Sequence, residues 1–129
     1  MSAIKTERLA VISLRARNVP LSVHFYRDVL GLDLLLHHDH RPAFDLGGGT
    51  YLVILKGTPV PPQNAEPARF PLLAFAVRDL DAAVEHLGAH GVELPWGVES
   101  REGTRWVMFY DPAGNLIELA QFSHESLRA

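Results

Sequence analysis

The chain has 129 residues, enough for one domain that buries roughly two-thirds of the surface its unfolded form would expose. An apolar share of 47% against 21% charged excludes a disordered tail, and no apolar run approaches the length of a bilayer span. The lack of cysteine excludes disulfides, thiolate metal sites and cysteine nucleophiles, and a net charge of −3 with singly scattered arginines argues against nucleic acid.

The first residues carry an early acid, Glu7, and no cleavage-like site, so neither a secretory leader nor a membrane anchor is expected and the cytoplasm is the expected location. Residues 9–15 read as a strand, because Val11, Ile12 and Leu14 are β-prone and fall outside any helical period. Asn18 is the expected N-cap of a helix that tolerates Pro20 in its first turn. Leu21, Phe25, Val29 and Leu30 recur at helical spacing, and Gly31 supplies a left-handed stop. Strands are predicted over 32–38, 43–46 and 51–56, with Gly47-Gly48-Gly49 turning between the last two.

Residues 57–71 hold five prolines, which cannot donate to a ladder, so this stretch is read as a linker lying across the surface as a flap. A strand over 72–77 follows, then a helix capped by Asp79 or Asp81 that carries Leu80, Ala83, Val84 and Leu87 and stops at Gly91. Three more strands are predicted near 93–95, 104–110 and 116–121, before a polar tail over 123–129.

The same order of elements is thus written twice. Arg17-Asn18-Val19 matches Arg78-Asp79-Leu80 at an offset of 61, Gly31 matches Gly91 at 60, and the last strands match at 64. Two copies are too few for a solenoid, so residues 9–56 and 72–122 are read as pseudo-symmetric modules of one domain over 1–129, with function expected between them.

Three segments carry a family likeness: Val23-His24-Phe25-Tyr26-Arg27-Asp28-Val29-Leu30-Gly31, Arg78-Asp79-Leu80-Asp81-Ala82-Ala83, and Asp111-Pro112-Ala113-Gly114-Asn115-Leu116-Ile117-Glu118-Leu119. With them the chain resembles the vicinal oxygen chelate superfamily, which groups glyoxalase I, extradiol dioxygenases, fosfomycin-resistance enzymes and bleomycin-resistance proteins. The likeness implies an α+β fold of two tandem βαβββ modules forming half-open curled sheets around a cleft, with a homodimer covering the cavity. The fold hosts several chemistries and does not settle function.

In metal-using relatives a side chain from the first strand of each module, commonly His, and a Glu of the last strand hold the ion. Here those opening positions fall on Val11 and Leu72, which cannot bind a metal; Glu118 matches, and its counterpart in the first module falls on Val53 or Ile54. One carboxylate is too few for a divalent site, so no metal or other cofactor is expected. The remaining combination is Glu118 with His38 or His40 from His37-His38-Asp39-His40, a run read as edge or loop histidines. His24, His86, His90 and His124 read as surface imidazoles.

The resemblance implies that the face carrying the last-strand Glu lines the cavity, and period-2 alternation counted from Glu118 then draws the lining. Leu116, Glu118 and Ala120 point inward with Val11, Ser13, Leu72, Ala74 and Ala76, joined by Trp106, Met108 and Tyr110 and, from the other module, by Phe44, Leu52 and Ile54. For Ile54, Leu72 and Ala74 an ordinary filled core is an equally good account. The expected ligand-binding set is Ser13, Phe44, Ile54, Leu72, Trp106, Met108, Tyr110 and Glu118, with Glu118 also the candidate catalytic base. An acid among apolar residues is protonated, paired with Arg41, Arg69, Arg101 or Arg105, or waiting for a ligand cation.

The expected function is metal-free binding or sequestering of a small aromatic or cationic molecule by a homodimer. The alternatives are a metal-dependent lyase, isomerase or dioxygenase with atypical ligands, a metal-free catalyst using Glu118 as base, or a regulatory module. Whether the chain is an enzyme is left open.

Overall fold

The computed structural model of the chain describes residues 4–38, 41–59 and 72–122, with 36–38 as backbone. Two compact units divide it, Met1–Pro59 and Val60–Ala129. Among the described residues no helix is long and apolar enough to cross a membrane.

The first unit runs β1 (Val11–Ala16), α1 (Val19–His24, continued by a π-helical turn Phe25–Val29), β2 (Asp33–His38), β3 (Arg41–Asp45) and β4 (Tyr51–Lys56). Asn18 caps α1 as the sequence predicts, its Oδ1 accepting the Leu21 N–H at 3.1 Å. The turn that follows is wider than expected: the Leu30 N–H donates to the Phe25 carbonyl five residues back, at 3.0 Å. Gly31, at φ +74°, then ends the helix, and the Leu32 N–H donates to the Tyr26 carbonyl at 2.9 Å.

The sheet order is β1-β4-β3-β2, with β1 parallel to β4 and the other pairs antiparallel. Phe44, paired with Leu52, meets Tyr26 of the helix at a ring-centroid distance of 6.0 Å, so the face carrying Phe44, Leu52 and Ile54 is the one α1 covers. All three are at most 1% exposed, and burying side chains of this size stabilises the unit by about 1.5–3 kcal/mol each.

The second unit repeats the plan: β5 (Leu73–Ala76), α2 (Leu80–Ala89), β6 (Glu99–Arg101), β7 (Thr104–Tyr110) and β8 (Leu116–Phe122), in the order β5-β8-β7-β6. Asp79, rather than Asp81, caps α2 through the Ala82 N–H at 3.1 Å. Two side chains identify the helix-covered face. Gln121 accepts the Leu80 N–H at 2.8 Å, and Arg105, its cross-strand partner, reaches Asp81 at 2.8 Å. Ile117 and Leu119 share that face by alternation, with Phe109 and Val107 as their partners on β7, and Leu80 and Leu87 of α2 close the core.

Two expectations are corrected. The sheets are not curled into half-open barrels: each is an open ladder of four strands, neither closed nor strongly curled. Strands of only three to seven residues across four positions accumulate too little twist to bend the sheet round. The strand predicted near 93–95 lies instead at Glu99–Arg101. Residues 94–97 form a turn closed by the Gly97 N–H on the Leu94 carbonyl at 3.1 Å, with Pro95 in the position that presets its φ and Gly97 at φ +63°.

Candidate functional site

The face of the second sheet opposite α2 gathers the residues of chemical interest. Trp106, Met108 and Tyr110 alternate along β7 on that face, and their partners on β8 are Ala120, Glu118 and Leu116. On the other side of β8, Ala74 stands opposite Glu118 and Ala76 opposite Ala120. Both alanines are exposed, so β5 raises no tall side chain beside the acid. At the outer edge Glu99 is the partner of Trp106, whose Nε1–H donates to Glu99 Oε1 at 3.2 Å.

The hairpins that fix this register are short. Arg101 and Thr104 are paired across a two-residue loop, Glu102 at φ +47° and Gly103 at φ +83°, the left-handed conformations a tight hairpin requires. The loop between β7 and β8 is held by Asp111, whose Oδ1 accepts the N–H groups of Ala113 at 2.9 Å and Asn115 at 2.8 Å, while Oδ2 accepts Asn115 Nδ2 at 3.0 Å. The family-like Asp111 to Asn115 stretch is therefore a turn that sets which β8 residue faces Met108.

Glu118 sits half-buried between Ala74 and Met108. Burial pushes its carboxyl above the ordinary carboxylate range, and the charge of Glu99 pushes it further in the same direction. Among the described residues no cation pairs with Glu118. Arg105 lies on the helix-covered face with Asp81, and Arg69 falls outside the described residues. Tyr110, 48% exposed, has its ring against Trp96 of the 94–97 turn at a centroid distance of 6.2 Å.

The expected site residues of the first unit are placed differently. Ser13 pairs with Val53 on the face away from α1 and is exposed, as is Val11. Phe44 and Ile54 lie on the opposite, helix-covered face and are core residues of that unit. Leu72 is half-buried just ahead of β5. The registers also settle a choice the sequence left open: Ser13 faces Val53 as Ala74 faces Glu118, so Val53 and not Ile54 is the counterpart of the acid.

The family's metal set does not fit these residues. Val11, Leu72 and Val53 are hydrocarbon at three of its positions, and among the described residues no group of three or more His, Cys, Asp or Glu could hold an ion. The side chain of His38 and all of His40 lie outside the described residues. Glu99 is the site residue that sequence reasoning missed. The signal was present in Glu102-Gly103, because a two-residue hairpin centred there makes Glu99 the partner of Trp106.

A family model described as the Glyoxalase/Bleomycin resistance protein/Dioxygenase superfamily matches residues 8–119. The protein YaeR of Escherichia coli (strain K12) is 34% identical over 117 residues, covering 84% of this chain and 91% of YaeR. Among solved structures, the integron cassette protein VCH_CASS1 from the mobile metagenome of V. cholerae is 27% identical with a TM-score of 0.73, covering 95% of this chain and all of that one. TnmS3, an antibiotic binding protein from Streptomyces sp. CB03234, is 26% identical with a TM-score of 0.73, covering 94% of this chain and 100% of its own.

Proposed function

The chain belongs to the glyoxalase/bleomycin resistance protein/dioxygenase superfamily, and from that premise we propose that it binds a small aromatic cation on the face of the β5–β8 sheet opposite α2. The observation that carries this reading is the carboxyl of Glu118, held above its ordinary range on the same face as Trp106, Met108 and Tyr110. A ligand cation relieves the cost of ionising that acid, the indole offers a stacking surface, and the thioether adapts to shape. The likeness to TnmS3, an antibiotic binding protein, supports a role in sequestering such a compound. The hydrocarbon residues at the family's metal positions favour binding that uses no metal.

Titration with an aromatic cation such as N-methylquinolinium, followed by tryptophan fluorescence in wild type and in Trp106→Phe, tests the proposal. Quenching should be saturable in wild type and largely lost in the variant; a response unchanged by the substitution would place the ligand elsewhere. A second reading, proton abstraction by Glu118 from a bound substrate, is favoured by the same upward shift, since it brings the acid nearer to neutral pH. Recovery of bound ligand chemically unchanged supports the binding role. Conversion that stops in Glu118→Gln supports catalysis.

A further inference from the structure

Helix α2 carries two exposed histidines four residues apart, His86 and His90, whose rings stand 4.4 Å apart between centroids at an interplanar angle of 52°. We propose that this pair is a peripheral binding site for a divalent transition metal that favours right-angle coordination, Cu(II) first and Ni(II) second, independent of the ligand face on the other side of the sheet.

The spacing is what such an ion requires. An imidazole nitrogen about 2.0 Å from a metal puts the ring centroid roughly 3.2 Å from it, so two rings at right angles about the ion have centroids about 4.5 Å apart. Tetrahedral coordination, as zinc prefers, opens that separation to about 5.2 Å. The observed separation therefore lies at the right-angle value and below the tetrahedral one.

The protonation of His90 is also set for a ligand. Its Nδ1 lies 3.0 Å from the His86 carbonyl oxygen, and because a carbonyl only accepts, Nδ1 carries the hydrogen and donates it. In the neutral ring the lone pair is then on Nε2, the arrangement in which a metal-bound histidine anchors its other nitrogen to a backbone carbonyl. His90 is the C-cap of α2, where the partial negative charge of the last carbonyls adds to the attraction of a cation. His24, by contrast, has its Nδ1 against Asp28 Oδ2 at 2.7 Å and serves as a control.

Amide spectra of the isotope-labelled protein titrated with copper(II) chloride test the site. Paramagnetic broadening should begin around residues 85–92 at stoichiometric copper. His86→Gln and His90→Gln should each weaken that binding at least tenfold with the α2 signals otherwise unmoved, and His24→Gln should leave it unchanged. Nickel should bind the same residues more weakly, and zinc more weakly than copper. Broadening that starts at other residues, including the histidines at 37–40, and leaves 85–92 sharp would overturn the proposal. So would copper binding at 85–92 that survives both substitutions.

Discussion

Replacing Asp111 by alanine should be among the most damaging single changes in the second unit. Asp111 is 4% exposed, and its carboxylate accepts two backbone N–H groups and the Asn115 amide at 2.8 to 3.0 Å. A hydrogen bond to a charged group contributes about 1.5–3 kcal/mol net, but these three share one acceptor and the turn lies near solvent, so the expected loss is about 2–4 kcal/mol rather than their sum. For a chain of this length that corresponds to a fall in melting temperature of about 8–15 °C. Asp111→Asn keeps one acceptor oxygen but sets an N–H₂ against the Asn115 amide, and about half the loss is expected. Thermal and urea denaturation of both variants measures the effect. If Asp111→Ala melts within about 2 °C of wild type, the turn is held by something other than this carboxylate. The same variants bear on the ligand face, because a one-residue slip across this loop would carry Glu118 to the side covered by α2.

Glu118→Gln should preserve the fold and weaken binding of aromatic cations about a hundredfold, with neutral analogues little affected, as calorimetric titration of both classes would show. Its effect on stability has a defined sign. Because the folded-state carboxyl is raised above its unfolded value, Glu118 contributes stability that is full below the ordinary carboxylate range and is lost as pH rises through the raised one. The glutamine variant should therefore gain on wild type in denaturation experiments as pH rises from acid to neutral; the opposite trend would contradict the assigned shift. Glu102→Asn should stabilise the β6–β7 hairpin by about 0.5–1 kcal/mol, since asparagine tolerates the left-handed backbone that glutamate occupies at φ +47°. Light scattering at micromolar concentration should give the mass of a homodimer, as the family likeness implies and as sheets with one-sided outer strands favour; a monomer mass would count against it.

Much of this architecture is legible in the chain because its punctuation is local. Asn18 and Asp79 cap, and Gly31 and Gly91 stop, through groups within a few residues of one another. The alternation counted from Glu118 holds across β7 and β8 because an antiparallel ladder fixes which partners share a side. Carried into the first unit it fails at Phe44 and Ile54, since the counterpart of Glu118 is Val53, and Ile54 beside it and Phe44, the partner of Leu52, point to the opposite face. The strand at Glu99–Arg101 was hidden for another reason: apolar Val92 and Leu94 resemble a strand, while the Leu94-Pro95-Trp96-Gly97 turn leaves that stretch no ladder to join. The raised carboxyl of Glu118 depends on burial and on Glu99 two strands away, which no window of sequence contains.

The π-helical turn of α1 reconciles two helices of unequal length with one shared plan. From cap to stop the first module takes thirteen steps, Asn18 to Gly31, where the second takes twelve, Asp79 to Gly91. The surplus residue is accommodated where the Leu30 N–H reaches back to Phe25, so the chain makes room for it inside the helix and leaves both ends where their glycine and cap require. An indel of one residue would otherwise rotate the distal part of a helix by about 100° and turn its apolar stripe away from the sheet. The two modules thus differ by one residue between cap and stop, and the wide turn of the first absorbs that difference without moving either end.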